Sequence, residues 1–172
     1  MSNLSNLFMA RAKTLTVIFA LTVLAACAMP RPADTAAASS DGFSAAATAL
    51  LDDTGWKLIE WKEADGAARP LHEASKAAPT LMLSTADGKR RASGFSGCNR
   101  YMGSYTLENN NLHFGPLAGT RMACLLPQTS QLESDYLNAL EHIARTSVQM
   151  KSPQHLQIVL DNGATLVFSR VQ

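Results

Sequence analysis

Three cysteines divide this 172-residue chain, and their positions limit its fold more than any other feature. Cys27 closes an apolar run near the amino terminus, while Cys98 and Cys124 lie far downstream in the body of the sequence. Before Cys27, Arg11 and Lys13 precede thirteen apolar or hydroxyl residues, Thr14 to Ala26, and no acidic residue occurs before Asp34. That is the length and charge order of an export signal. A membrane-spanning helix needs about 20 apolar residues to cross roughly 30 Å of hydrocarbon, so an uncleaved anchor is the weaker reading. Residues 1–26 are therefore expected to be a signal peptide. Beyond Cys27, two thiols remain.

The signal ends Leu24-Ala25-Ala26-Cys27, an order that resembles the bacterial lipobox. Small residues let a peptidase reach the bond, and the cysteine thiol then takes a diacylglycerol. The amino group that cleavage frees takes a further acyl chain such as palmitate in many bacteria. Each buried methylene contributes about 0.8 kcal/mol, so two or three chains hold a protein durably where one does not. Cys27 is the expected lipid attachment site. Position 28 is alanine, so the aspartate that retains many lipoproteins at the inner membrane is missing. The expected location is the cell envelope, at the periplasmic face of the outer membrane, with the membrane as partner through the lipid.

Processing at Cys27 leaves 13 basic and 14 acidic side chains, a balance that gives no electrostatic case for binding nucleic acid. Residues 27–53 read as a lipidated terminus and flexible tether, rich in Ala, Ser and Pro. The Ala-rich end, Ala45 to Leu51, suits a turn or two of helix. Residues 54–172 read as the folded domain. With 47% hydrophobic and 17% charged residues over the whole chain, a core is well supplied.

Within that domain, Trp56 to Trp61 reads as a strand. Leu81-Met82-Leu83 and Arg91 to Phe95 flank Asp87-Gly88, and Ser104 to Leu107 and Leu112-His113-Phe114 flank Glu108 to Asn111. His155 to Leu160 and Ala164 to Phe168 flank Asp161-Asn162-Gly163. All three are hairpins, because Gly and Asn tolerate the positive φ that tight turns demand. One segment has a helical period instead: Leu132, Tyr136, Leu140 and Ile143 make one apolar stripe. Ser130-Gln131-Leu132-Glu133 matches a capping box, so the helix is expected over about Gln131 to Arg145. The predicted class is α+β, a bent antiparallel sheet of short hairpins packed with one main helix.

Several of these segments form a recognisable set. Gly97-Cys98-Asn99-Arg100, Gly103-Ser104-Tyr105, Leu112-His113-Phe114 and Thr120-Arg121-Met122-Ala123-Cys124 follow in order, with Glu133 and Leu140 beyond. With the opening Gly55-Trp56-Lys57-Leu58, they resemble the META domain, the former domain of unknown function 306, as found in HslJ-like bacterial lipoproteins. The resemblance spans roughly Asp53 to Arg170. It implies an envelope or secreted protein linked to stress tolerance and, in some members, drug resistance. It implies no catalytic activity and names no ligand.

Cys98 and Cys124 are expected to form a disulfide in an oxidising compartment. Closing a loop of about 27 residues should stabilise by roughly 3–4 kcal/mol in the chain-entropy treatment. The alternatives are two separate buried thiols, or a redox or metal-binding pair. No CxxC spacing or paired histidine supplies further metal ligands, so no metal and no cofactor is expected. If the disulfide forms, Asn99 and Arg100 converge with Thr120 and Arg121 into a candidate binding patch, the arginines suiting a carboxylate or phosphate. Set against it, Asn99 and Thr120 would satisfy buried backbone groups while the arginines pair locally, and that reading is preferred.

Other features carry less. Gly94-Phe95-Ser96-Gly97-Cys98 lacks the closing glycine of a nucleophile elbow. His72, His113, His142 and His155 are scattered. Lys89-Arg90-Arg91 reads as a solvated turn in preference to a head-group contact, since three charges attract weakly. Trp56 and Trp61 read as core in preference to a ligand wall. No nucleophile, base and orienter assemble, so an enzyme is not expected. The leading expectation is a lipid-anchored, non-catalytic binding or structural protein of envelope stress tolerance, with its protein or small-molecule partner unidentified. Its rivals are a thiol-active or small-molecule-processing periplasmic factor using Cys98 and Cys124, and a protein-interaction module.

Overall fold

A computed structural model describes residues 43–71 and 77–171. The signal segment, Cys27, the tether up to residue 42 and His72 lie outside the described residues. Among those described, no helix is long and apolar enough to cross a membrane.

The strands are β1 (Phe43–Ser44), β2 (Thr54–Lys62), β3 (Thr80–Ser84), β4 (Arg91–Phe95), β5 (Arg100–Glu108), β6 (Asn111–Phe114) and β7 (Ala118–Gly119). The helix α1 (Pro127–Glu141), the one long helix among the described residues, follows, then β8 (Ile143–Gln149), β9 (His155–Leu160) and β10 (Thr165–Val171). They form one antiparallel sheet in the order β1-β8-β9-β10-β2-β3-β4-β5-β6, with β7 on β5. All three expected hairpins are present. Asp87 (φ 61°), Asn109 (φ 52°) and Asn110 (φ 62°) take the left-handed conformation in two of the turns. In the third, Asn162 Oδ1 accepts the Ala164 N–H at 2.9 Å.

The sheet curls until β6 reaches β8, although no backbone ladder joins them among the described residues. Side chains bridge the seam instead. The Asn111 carboxamide donates to the Ala144 carbonyl (3.0 Å) and accepts the Thr146 N–H (2.7 Å). Thr146 Oγ1 in turn accepts the Leu112 N–H at 3.2 Å. Strand alternation then turns one face of each strand inward. Trp56, Leu81, Leu83, Leu112, Leu156, Ile158, Leu166 and Phe168 meet Leu132, Tyr136 and Leu140 of α1 in the core.

Tyr136 sits at its centre. Its ring lies 5.9 Å from Tyr101, edge to face, and 6.5 Å from Phe168. Both tyrosine hydroxyls reach the Thr80 carbonyl, at 2.9 Å from Tyr101 and 3.3 Å from Tyr136. Burial holds both phenols above the usual tyrosine range, so they remain neutral donors. Gly94 lies opposite Tyr101 in the ladder, and a Cβ there would run into the Thr80 carbonyl and the Tyr101 ring. Only glycine lets these three strands close up.

Two expectations need correction. The helix begins at Pro127, four residues before the expected start, because proline presets φ and lacks the N–H that a first turn leaves unbonded. Ser130 thus falls inside the helix and is no cap. At the other end, α1 stops at Glu141, and Ile143, Ala144 and Arg145 belong to β8. Ile143 continues the helical stripe by spacing, yet pairing with Leu160 of β9 captures it. Short apolar segments are open to either period, and the partner strand decides.

The described part of the expected tether is also built into the fold. Phe43 and Ser44 pair with β8, a 3-10 turn spans Ala46–Leu50, and Leu51 is fully buried. Thr54 ties the turn to the core, its hydroxyl donating to the Leu51 carbonyl and accepting the Trp56 indole N–H at 2.7 Å.

Candidate functional site

Ser96 to Asn99 form a tight turn between β4 and β5, with the Ser96 N–H donating to the Asn99 carbonyl at 2.8 Å. Gly97 sits there at φ 108°, a conformation that a side chain would strain. The turn presents Cys98 to Cys124, and the two are joined as a disulfide with Cα atoms 5.8 Å apart. The structure carries the expected staple and does not show the two as separate thiols.

Asn99 is 3% exposed and spends every hydrogen-bonding group it owns. Its Nδ2 donates to the Met122 carbonyl and to Glu133 Oε1, each at 3.1 Å. Its Oδ1 accepts the Met122 N–H (2.8 Å) and the Thr120 hydroxyl (2.9 Å). The second oxygen of Glu133 accepts the Asn99 N–H at 2.7 Å and the Ser96 hydroxyl at 2.6 Å. One carboxamide and one carboxylate thus bind the turn, the segment after β7 and the first turns of α1 into one unit.

Of the residues expected here, the fold brings Cys98, Asn99, Thr120 and Cys124 together, and Arg100 contributes only its backbone. The Arg100 N–H donates to Thr120 Oγ1 (3.2 Å), and its carbonyl accepts the Thr120 N–H (2.9 Å). The Arg100 and Arg121 side chains are exposed, and among the described residues neither has an ion-pair partner. Asn99 and Thr120 therefore behave as preferred, and the local pairing expected of the arginines is not found.

Ser96 and Glu133 were missed as site residues. A capping box would turn Glu133 back towards Ser130, whereas its carboxylate is drawn across to the β4–β5 turn. A signal for this exists in the spacing: Glu133, Tyr136 and Leu140 stand at i, i+3 and i+7, which places a carboxylate on the buried edge of the stripe.

The cleft beside this cluster has a volume of about 370 Å³ and is lined by Thr120, Arg121, Met122, Cys124 and Glu133 among others. Cys98, Cys124 and Glu133 place their ligand atoms within 4.8 Å of one another. Sulfurs joined to each other are not thiolates, so this set does not fit a metal ion in the disulfide form. The described histidines stay apart from the cluster: His142 Nδ1 meets the Asn138 carbonyl, and His155 Nδ1 meets Gln149.

Two other predicted groups resolve differently. Arg90 is exposed but paired. It grips Asp52 with two nitrogens, at 3.0 and 2.7 Å, and Asp52 also accepts the Tyr105 hydroxyl at 2.7 Å. The hydrogen bond from Arg90 is the main reason the Asp52 carboxyl lies below its usual range. Both tryptophans are core, as expected. Arg69 stacks over Trp61 at 4.3 Å while bridging Glu63 and Asp135, each at 2.7 Å. The Trp61 indole N–H has no partner among the described residues.

A curled antiparallel sheet with one helix inside it, pinned by a disulfide and a buried carboxamide–carboxylate pair, defines a small α+β module. Residues 49–172 match the META domain model, and the chain belongs to that family. A protein from Burkholderia xenovorans, solved by NMR, is 55% identical, with a TM-score of 0.70 over 84% of this chain and 99% of that one. A second NMR structure is 24% identical, with a TM-score of 0.48 over 71% and 92% of the two chains. A DUF4847 family protein from Bacteroides vulgatus is 11% identical, with a TM-score of 0.45 over 70% and 94%. No curated protein matches the chain.

Proposed function

We propose that this chain is a lipid-anchored protein of the bacterial cell envelope, held through Cys27 at the periplasmic face of the outer membrane. Its META domain acts there by binding or structural support during envelope stress, without catalysis. One observation carries the non-catalytic reading: the polar cluster is closed upon itself. Ser96, the hydroxyl bonded to the Glu133 carboxylate, is fully buried, and among the described residues no histidine is bonded to it. A nucleophile needs a base in reach and a path to substrate, and this serine has no such path. The rest of the reading is supported by the lipobox-like segment and the family.

Intact mass of the membrane-extracted chain, before and after reduction and alkylation, tests both halves. The expected result is a lipid mass on Cys27, with Cys98 and Cys124 alkylated only after reduction. Thiols that alkylate in freshly extracted protein would instead favour the thiol-active alternative. An unlipidated mature chain would overturn the anchor.

A further inference from the structure

The fold gathers charge that the sequence disperses. Ladder registers place Lys57 and Arg100 at the two ends of one cross-strand row on the outward face of β2–β5. Met82 and Met102 lie in the adjoining row, and Arg91 pairs with Ser84 and Ser104 in the third. No acidic residue occupies these rows. Lys57, Arg91 and Arg100 have no carboxylate partner among the described residues, nor do Lys89 in the β3–β4 turn and Arg121 beyond β7. The nearest acids in sequence are Glu60, which pairs with Lys62, Asp87, in that turn, and Asp53, which is bonded to Thr85.

An apolar loop leaves the edge of this face. Ala118 pairs with Met102, and Thr120 is bonded to Arg100, so Met122 to Leu126 emerge beside the basic rows. Met122 is 65% exposed, Leu125 91% and Leu126 53%, and Met102 on the face itself is 67% exposed. The loop is held out firmly: Asn99 grips both backbone groups of Met122, the disulfide fixes Cys124, and Pro127 opens α1. Large apolar side chains displayed next to unpaired cations match the chemistry of an interfacial membrane surface.

We propose that this face docks on the anionic phospholipid head groups of the membrane that carries the Cys27 lipid. Met122, Leu125 and Leu126 enter the head-group layer, and Lys57, Arg91 and Arg100 lie against the phosphates. The inference rests on the lipid-anchor reading. The 15 residues between Cys27 and Phe43 span at most about 50 Å, enough for the face to turn onto the bilayer. The three charges of Lys89-Arg90-Arg91 alone made a weak head-group site. The fold diverts Arg90 to Asp52 and replaces it with cations from β2 and β5.

The test uses the lipidated chain reconstituted into vesicles of phosphatidylcholine, with and without phosphatidylglycerol. Floated protein is treated with peroxide, and methionine oxidation is read by mass spectrometry. Met150, 44% exposed at the end of β8, is the internal reference. Oxidation of Met102 and Met122 relative to Met150 should fall several-fold on phosphatidylglycerol vesicles. High salt, the Arg91→Glu/Arg100→Glu variant, or Leu125→Asp at its exposed position should restore it. Ratios equal to those in detergent would overturn the proposal, and so would equal protection on both vesicle types. Protection that persists in detergent would point to a protein surface, a second copy included, and would also overturn it. Flotation on phosphatidylcholine alone reports the anchor. Its loss, with protection kept on anionic vesicles, would overturn the anchor and leave the docking face standing.

Discussion

Asn99 uses both amide hydrogens and both lone-pair directions of its carbonyl inside the fold, which sets the cost of losing it. Asn99→Ala strands the Met122 peptide, the Thr120 hydroxyl and one Glu133 oxygen, and should destabilise by about 2–3 kcal/mol in urea denaturation. Glu133 and Ser130 separate the observed network from the expected capping box. Glu133→Ala should cost about 1–3 kcal/mol by removing the charged acceptor of the Asn99 N–H, the Asn99 carboxamide and the Ser96 hydroxyl, whereas Ser130→Ala should change stability by less than about 0.5 kcal/mol. A capping box would make both substitutions costly. Asp52 gives a pH signature. Its carboxyl is held below the usual range by Arg90 first, with help from Tyr105, so its contribution is present above about pH 4 and is lost as pH falls through the folded value. Asp53 shifts in the same direction through Thr85. Asp52→Asn should therefore be less stable near neutrality and lose less than the parent between pH 5 and pH 3, as read by thermal melts across that range.

Among the elements, the hairpins were the most legible, because each turn carries its own chemistry. Asp-Gly and Asn-Asn adopt positive φ without help from the rest of the chain. The disulfide was legible as well, from a count and a compartment, and it staples the β4–β5 turn to the approach to α1. Cys98→Ser with Cys124→Ser should lower stability by roughly 3–4 kcal/mol, with a fall in Tm on the order of 10 °C. The helix was legible in existence and misplaced at both ends. Pro127 moved its start, and β9 took Ile143 for its own ladder, a choice between two periods that one short stripe does not make. The β8 strand left no independent signal, since its buried Thr146, Ser147 and Val148 mix hydroxyls with a single aliphatic residue. Thr146 is there to bond β6, a role visible only once the sheet has curled.

At the scale of the molecule, closure brings together residues distant in sequence: Asn111 with Ala144, Asp52 with Arg90 and Tyr105, and Asn99 with Glu133. The same closure determines the surface, where Lys57, Arg91 and Arg100 come from three strands to make one basic face. Features that depend on near neighbours were legible in the amino-acid order: three turns, one helix, an even pair of thiols and the motifs of the META family. Long-range packing fixed the partners of Glu133 and the ends of α1, and it drew Phe43 and Ser44 into the sheet. It also decided which cations find a carboxylate and which remain free. The physical reason is range. Turn and helix propensities act over a few residues, whereas a buried carboxylate or an exposed guanidinium is defined by what folding sets beside it.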